Sequence, residues 1–173
     1  MAWSVRGEAE MEKGFTIREA ALEDSTALTD LCMRSKQSNG YDDTFMAMCA
    51  EELKVRDSWI EDDDFWLAQD ADGRPVGCIR LSTVEDGETG ELETCFVDPA
   101  WQGRRVGRAL FDVLYERAQD LGLVRIGLDA DPFAEPFYAR MGFKTIGRAP
   151  SGSIPGRTLP RMELQLTSGQ QRT

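Results

Sequence analysis

The sequence contains no histidine, and this absence excludes several kinds of catalytic site. Neither a Ser–His or Cys–His nucleophile nor a zinc ion held by histidine can be built without it. Four cysteines are present, Cys32, Cys49, Cys78 and Cys95, but they show no CxxC or other metal-ligand spacing. We therefore expect reduced, mostly buried thiols and no metal site. Acid–base chemistry must then come from carboxylates, tyrosine, cysteine or lysine.

Positive charge is also scarce, because 20 basic residues against 31 acidic ones give a formal net charge of −11. Nucleic acid and anionic membrane surfaces are bound by clustered positive charge, so we expect neither as the main partner. Apolar runs of the ~18–20 residues that a membrane span needs are absent as well. The first residues lack the apolar core of a secretory signal, and we expect a cytoplasmic protein.

The rest of the composition is that of a globular protein, with 41% hydrophobic and 29% charged residues in a chain of 173. This length suits one domain, which we place at residues 15–167. Residues 1–14 are polar and aperiodic and are predicted to form a mobile N-terminal extension. Residues 168–173 are predicted to form a C-terminal tail.

Hydrophobic periodicity predicts an α+β fold. Strands are predicted at residues 15–18, 64–70, 75–84, 91–97, 124–129, 143–148 and 162–166. Helices are predicted between residues 22–25 and 37–40, through residues 45–53, and at 103–120 and 132–141. The order of these elements describes a largely antiparallel meander that leads into a strand–helix–strand unit.

The segment ELETCFVDPAWQGRRVG, residues 91–107, is the most informative part of the chain. A strand ends at Val97, and a turn rich in glycine and arginine leads directly into the long helix. Such a turn leaves the first N–H groups of the helix unpaired, and this arrangement binds phosphate well. A plain helix N-terminus with solvated arginines is the alternative. The cluster of Arg104, Arg105 and Arg108 in an acidic chain favours phosphate.

Two motifs resemble those of the GNAT superfamily of acetyl-CoA-dependent N-acetyltransferases. The first is Gln102-Gly-Arg-Arg-Val-Gly107, which follows Val97-Asp98-Pro99, and the second is Phe137-Tyr-Ala-Arg-Met-Gly-Phe143. The resemblance extends from about residue 15 to residue 166. It implies a mixed, mostly antiparallel sheet of six to seven strands flanked by about four helices.

The resemblance also implies how acetyl-CoA is bound. Backbone groups of Cys95, Phe96 and Val97 would pair with the pantetheine arm at a strand edge left open by divergence of the next strand. The turn and the first residues of the helix would hold the pyrophosphate; these are Gln102, Gly103, Arg104, Arg105, Val106, Gly107 and Arg108. Two positions depart from the family pattern. Arg105 replaces a glycine and is expected to keep an ordinary L-residue conformation, and Phe133 replaces an asparagine that contacts pantetheine in many relatives.

The same resemblance assigns catalytic roles to three side chains. Tyr138 would protonate the departing thiolate, because a phenol with a pKa near ~10 suits that task. Glu91 or Glu93 would accept the proton of the attacking amine, since alternation along the strand places both on one face. Both glutamates could instead simply face solvent, and the sequence does not separate them.

In this family the acceptor site lies between the first two helices and the last hairpin. The candidate residues here are Tyr41, Ser151, Ser153 and Arg157, in two segments rich in small polar residues. The resemblance implies transfer of an acetyl group to a primary amine of a small molecule by direct attack in a ternary complex. The alternative is a non-catalytic acyl-CoA-binding or sensory module. The family also allows a homodimer, which nothing in the sequence requires.

Overall fold

A seven-stranded sheet forms the centre of the computed structural model, which describes residues 13–167. Most of residues 1–14, and all of 168–173, for which an extension and a tail were predicted, lie outside the described residues. The strands are β1 (Thr16–Glu19), β2 (Asp64–Gln69), β3 (Pro75–Thr83), β4 (Thr89–Val97), β5 (Arg125–Asp129), β6 (Lys144–Pro150) and β7 (Thr158–Gln165). They lie in the order β1-β2-β3-β4-β5-β7-β6.

Five helices connect the strands of the described chain. They are α1 (Ser25–Gln37), α2 (Asp43–Leu53), α3 (Asp57–Asp62), α4 (Val106–Asp120) and α5 (Glu135–Arg140). Two short 3₁₀ turns, Leu22–Asp24 and Pro99–Trp101, precede α1 and α4. Within residues 13–167, no helix has the length and apolar character needed to cross a membrane.

The two faces of the sheet carry separate cores. One core packs α4 onto the sheet through side chains such as Val106, Leu110 and Leu114. The other packs α1 and α2 onto the opposite face through side chains such as Leu31 and Met46. Burial of these apolar surfaces against both faces is the main stabilising contribution of such a layered arrangement. The cysteines are free thiols, three of them buried and Cys95 half-buried, as expected.

The pairing of β4 with β5 determines where a ligand can enter the sheet. All other described strand pairs are antiparallel, whereas β4 and β5 run parallel and pair only through Thr89, Gly90 and Glu91. Beyond Glu91 the two strands separate, so residues 92–97 of β4 have no strand partner on that side. The predicted divergence is therefore present.

The α+β class and the mixed, mostly antiparallel sheet are confirmed, with differences in detail. Helix α3 was not predicted, because its six residues include no buried side chain and so show no hydrophobic periodicity. Helix α4 begins at Val106 instead of Gly103, since residues 102–105 form a turn. Strand β7 begins at Thr158 instead of residue 162 and pairs with both β5 and β6.

Candidate active site

The separation of β4 from β5 opens a cleft of about 860 Å³. Residues of β4, the turn before α4, the first turns of α4, and α5 line one part of it. The last turn of α1 and the segment after β5 line another part. One cleft therefore joins the predicted cofactor-binding segment to the region where an acceptor was expected.

The backbone of β4 presents alternate residues to this cleft. The Asp98 N–H donates to the Val76 carbonyl at 2.8 Å, and Phe96 pairs with Cys78. Alternate residues of a strand direct their backbone groups to the same side, so Phe96 bonds toward β3. The N–H and C=O groups of Cys95 and Val97 consequently face the open edge, where an extended ligand could pair with them. The backbone of Phe96, which was also predicted to pair there, bonds to β3 instead.

The turn before α4 exposes a series of backbone donors. Within residues 13–167, none of the N–H groups of residues 102–108 donates a hydrogen bond to another residue. The first bond of the helix is donated by the Ala109 N–H to the Arg105 carbonyl at 3.0 Å. The helix dipole adds partial positive charge at this end. Unpaired amides at a helix N-terminus are a suitable site for a pyrophosphate.

Arg105 corrects one expectation from the sequence. Its φ of 65° lies in the left-handed region, and it is the one described non-glycine residue with positive φ. Gly103, two residues earlier, has φ 79°. An ordinary L-residue conformation was therefore the wrong expectation. The backbone keeps the shape that glycine would adopt most readily at this position, and the arginine bears the conformational cost.

The three arginines of the turn differ in their surroundings. Arg105 and Arg108 line the cleft, whereas the Arg104 guanidinium lies 3.9 Å from the centre of the Trp101 ring. Arg108 also contacts Asp112 at 3.2 Å. A ligand phosphate in the cleft would therefore meet Arg105 and Arg108 first.

Gly107 allows α5 to approach α4 closely. A Cβ at this position would lie 3.1 Å from the Phe137 ring, a distance tighter than ordinary van der Waals contact. This contact helps to place Tyr138, the residue after Phe137, which is only 7% exposed and lines the cleft. Burial, followed by the interaction with the neighbouring Cys95, raises the pKa of Tyr138 well above its usual value. The phenol is therefore protonated at neutral pH and available as a proton donor.

A β-bulge places Glu93 at the cleft. Thr94 pairs with Arg80 and Leu92 with Leu81, so the intervening Glu93 has no partner residue on β3. Its side chain is exposed, lines the cleft and accepts a hydrogen bond from the Ser82 hydroxyl at 2.9 Å. One carboxylate oxygen remains without a described hydrogen bond, so Glu93 has room to accept a proton.

Glu91 has a different environment. Both of its carboxylate oxygens accept hydrogen bonds from the Arg161 guanidinium, one of them at 3.0 Å. Arg161 reaches across β5 over Gly127, where a Cβ would collide with its guanidinium. Glu91 is not among the described residues that line the cleft. The Glu91–Arg161 ion pair links β7 to β4 near the point where β4 and β5 separate, which indicates a structural role.

Two of the four predicted acceptor residues meet in space. The Arg157 guanidinium donates to the Tyr41 hydroxyl at 2.7 Å, and this hydroxyl donates to Asp131 at 3.0 Å. Lys36 donates to the same carboxylate at 3.3 Å. Burial and the hydrogen bond to Asp131 raise the pKa of Tyr41 to about 12. Asp131, which sequence reasoning missed, and Lys36, which belongs to the same polar segment as Tyr41, line the cleft.

The side chains of the remaining predicted residues, Ser151, Ser153 and Phe133, lie outside this hydrogen-bonded group. The Ser151 hydroxyl accepts hydrogen bonds from the N–H groups of Ser153 and Ile154, and the Ser153 hydroxyl lies 3.5 Å from the Cys49 sulfur. Both serines therefore shape their loop. Phe133 is 61% exposed, lies edge-on to Tyr41 and lines the cleft.

Comparison with known proteins agrees with this geometry. Residues 28–143 match the model of the acetyltransferase (GNAT) family. The chain belongs to the GNAT acetyltransferase family. Among curated relatives, an amino-acid acetyltransferase of Mycobacterium tuberculosis is 38% identical over 89 residues, which are 50% of this chain and 49% of the relative. A mycothiol acetyltransferase of Beutenbergia cavernae is 33% identical over 115 residues, 63% of this chain and 38% of the relative. The matches thus span half or less of these relatives.

A solved GNAT structure confirms the fold. The PaiA N-acetyltransferase of Thermoplasma acidophilum, crystallised in complex with coenzyme A, superimposes with a TM-score of 0.72 at 20% identity. The match covers 87% of this chain and 98% of that one. The resemblance inferred from the two sequence motifs is therefore confirmed for the family and for the fold.

Proposed function

We propose that this GNAT protein transfers an acetyl group from acetyl-CoA to a primary amine of a small molecule, by direct attack in a ternary complex. One observation carries the proposal: a single cleft is lined by the open edge of β4, by the unpaired amides of residues 102–108 and by the buried phenol of Tyr138. Family membership supports acyl transfer as the reaction class.

The cleft suits the two polar parts of coenzyme A. The unpaired amides and Arg105 would hold the pyrophosphate, and an arginine such as Arg108 would bind a further phosphate. Cys95 and Val97 would pair with the pantetheine amides, as an added strand pairs with a sheet edge. The related fold crystallised with coenzyme A supports this assignment.

Glu93 is the base in this proposal, and Tyr138 is the acid. Acetyl-CoA supplies the acetyl group as a thioester, whose C–S bond breaks as a C–N bond to the amine forms. Glu93 takes the proton of the amine, directly or through water, and Tyr138 gives its proton to the departing sulfur. A backbone N–H at the open edge of β4 stabilises the negative charge that develops on the carbonyl oxygen.

A non-catalytic acyl-CoA-binding module is less well supported. Such a module needs the open strand and the amides, but it needs neither a buried proton donor nor a free carboxylate in the same cleft. The departure from the family pattern at Arg105 gives that alternative little support, because the backbone of Arg105 keeps a glycine-like conformation. The cytoplasmic location, the homodimer and the absence of nucleic-acid and membrane partners stay predictions from the sequence.

The test is release of the coenzyme A thiol from acetyl-CoA with a panel of primary amines. With the best amine, Tyr138→Phe is expected to lower kcat at least tenfold, or about 1.4 kcal/mol, because the departing thiolate loses its proton donor. The KM for acetyl-CoA should stay nearly unchanged. Tyr115→Phe is the matched control, because it removes a phenol from α4 outside the cleft.

Two results would contradict the proposal. Unchanged kcat in Tyr138→Phe would remove this residue from the reaction. Binding of acetyl-CoA without thiol release for any amine of the panel would favour the non-catalytic module.

A further inference from the structure

The cluster of Lys36, Tyr41, Asp131 and Arg157, hereafter the Lys36 cluster, is the polar assembly that the reaction above leaves unused. Its members come from the end of α1, the loop after α1, the segment after β5 and the loop between β6 and β7. Lys36 and Asp131 line the same cleft as Glu93 and Tyr138. An acceptor whose amine lies near Glu93 can therefore extend toward Lys36.

The cluster carries an excess of positive charge in a protein of net charge −11. Lys36 and Arg157 contribute two positive charges and Asp131 one negative charge, and the Tyr41 phenol is neutral because its pKa is raised to about 12. Asp131 interacts with both cations, with N–O distances of 3.3 Å to Lys36 and 3.7 Å to Arg157. Because the two cations share one carboxylate, the Lys36 cluster keeps a net charge of +1.

The two cations also retain unused hydrogen-bond donors. An ammonium has three N–H donors and a guanidinium has five. Within residues 13–167, the Lys36 ammonium donates one hydrogen bond, to Asp131, and the Arg157 guanidinium donates one, to Tyr41. Their side chains are only 15% and 19% exposed, so water compensates them incompletely. Asp131 is meanwhile saturated, since Lys36, Tyr41 and the Phe133 N–H all donate to it.

Arg80 is the other mostly buried cation at this part of the cleft, and its charge is neutralised more completely than that of Lys36. Its guanidinium forms an ion pair with Asp63 at 2.7 Å, donates to the Thr94 hydroxyl at 3.2 Å and lies 3.9 Å from the centre of the Trp59 ring. Its charge is matched by one carboxylate of its own. Arg80 therefore offers no surplus charge to a ligand, whereas Lys36 does.

We infer that the acceptor amine carries an anionic group, a carboxylate or a phosphate, which binds to Lys36 at the cleft. Arg157 does not line the cleft, and it acts as a positioning residue that draws part of the charge of Asp131 away from Lys36. The substrate class is then anionic amines such as amino acids, and not polyamines. This inference rests on the proposed function, and the amino-acid acetyltransferase among the relatives is consistent with it.

The experiment compares matched amines that differ in one charge. Thiol release is measured with the common amino acids and their α-carboxamides, with glucosamine 6-phosphate and glucosamine, and with putrescine and spermidine. The thermal unfolding midpoint is measured with the same amines in the presence of coenzyme A. We expect the anionic member of at least one pair to exceed its neutral partner in kcat/KM by at least about tenfold, because a neutral amine leaves the surplus positive charge at Lys36 unmatched.

Three variants connect this preference to the cluster. Lys36→Met should reduce the ratio of anionic to neutral amine to within about threefold, mainly through KM for the amine. Arg157→Met should lower the ratio by a smaller factor, because the Lys36–Asp131 pair then becomes neutral. Lys144→Met removes the same charge from the exposed edge strand β6 and should leave the ratio unchanged. A purely structural cluster would change stability in these variants but not the ratio.

The outcomes separate the two proposals. Thiol release that is fastest with polyamines or with neutral amines would overturn this inference and leave the acetyltransferase proposal intact. An unchanged ratio in Lys36→Met would also overturn it. If no amine releases thiol, the proposed function fails, and the unfolding midpoints then decide: stabilisation by anionic amines alone supports the Lys36 site, and its absence overturns that site. Preference for the amino-acid or the phosphate pair identifies the anion.

Discussion

At the scale of single residues, the structure distinguishes two glutamates that the sequence leaves equivalent. Alternation along β4 predicted that Glu91 and Glu93 share a face, and the family resemblance left either one as the candidate base. The bulge at Glu93 and the ion pair of Glu91 with Arg161 separate them. Neither feature was predictable, because Arg161 lies 70 residues away in the chain and the ELETCFV pattern contains no signal for a bulge. Of these two glutamates, Glu93 is the one that lines the cleft and keeps a carboxylate oxygen without a described hydrogen bond.

Replacing each glutamate by glutamine tests this separation. Glu93→Gln should lower kcat at least tenfold, about 1.4 kcal/mol, with little change in stability, because the amide oxygen can still accept the Ser82 hydrogen bond. Glu91→Gln should lower the free energy of unfolding by about 1–3 kcal/mol, because half of a charged hydrogen-bonded pair is lost. Steady-state kinetics and chemical denaturation measure the two effects.

The reverse pattern would contradict the assignment. If Glu91→Gln abolished turnover in a folded protein while Glu93→Gln stayed active, the base would have to be sought at Glu91. Arg161→Met is a control for the structural role of the pair, and it should destabilise the protein about as much as Glu91→Gln does.

At the scale of elements, the motif in the turn before α4 was sufficient to predict unpaired amides but not the backbone conformation of the turn. The residues Gln102 to Gly107 were sufficient to predict a phosphate-binding helix start, and the structure places unpaired amides there. The sequence did not predict the left-handed conformation of Arg105, because rules for positive φ point to glycine. Strain of this kind is commonly retained at binding sites.

Substituting Arg105 measures the conformational cost. The left-handed conformation costs a non-glycine residue about 1–2 kcal/mol, and the greater freedom of unfolded glycine offsets about 0.4–1 kcal/mol of that. Arg105→Gly should therefore be more stable than Arg105→Ala by about 1 kcal/mol, which raises the unfolding midpoint by roughly 2–4 °C. Both variants lose the guanidinium, so their difference reports the backbone. An alanine variant as stable as the glycine variant would show that no strain is stored at this position.

At the scale of the whole molecule, local patterns predicted the elements and long-range contacts defined the site. Every strand and four of the five described helices were predicted, most of them because they bury a regular apolar face; the exposed edge strand β6 is an exception. The short helix Asp57–Asp62 buries no side chain and was missed. The Lys36 cluster joins residues up to 121 positions apart in the sequence, so only the fold brings them together. Ser151 and Ser153 were predicted to bind the acceptor. The sequence of a loop does not show which side chains form hydrogen bonds within the loop, as that of Ser151 does.

The opening between β4 and β5 is the proposed acetyl-CoA site, and the unfolding midpoint with saturating acetyl-CoA, coenzyme A or ATP shows whether it binds this cofactor. A specific ligand at about 100 times its Kd adds roughly 2.7 kcal/mol to stability, which raises the midpoint of a protein of this size by about 5–10 °C. We expect this rise with both coenzyme A species and none with ATP. No rise with either coenzyme A species would contradict it, because the open strand and the unpaired amides would then not form a cofactor site.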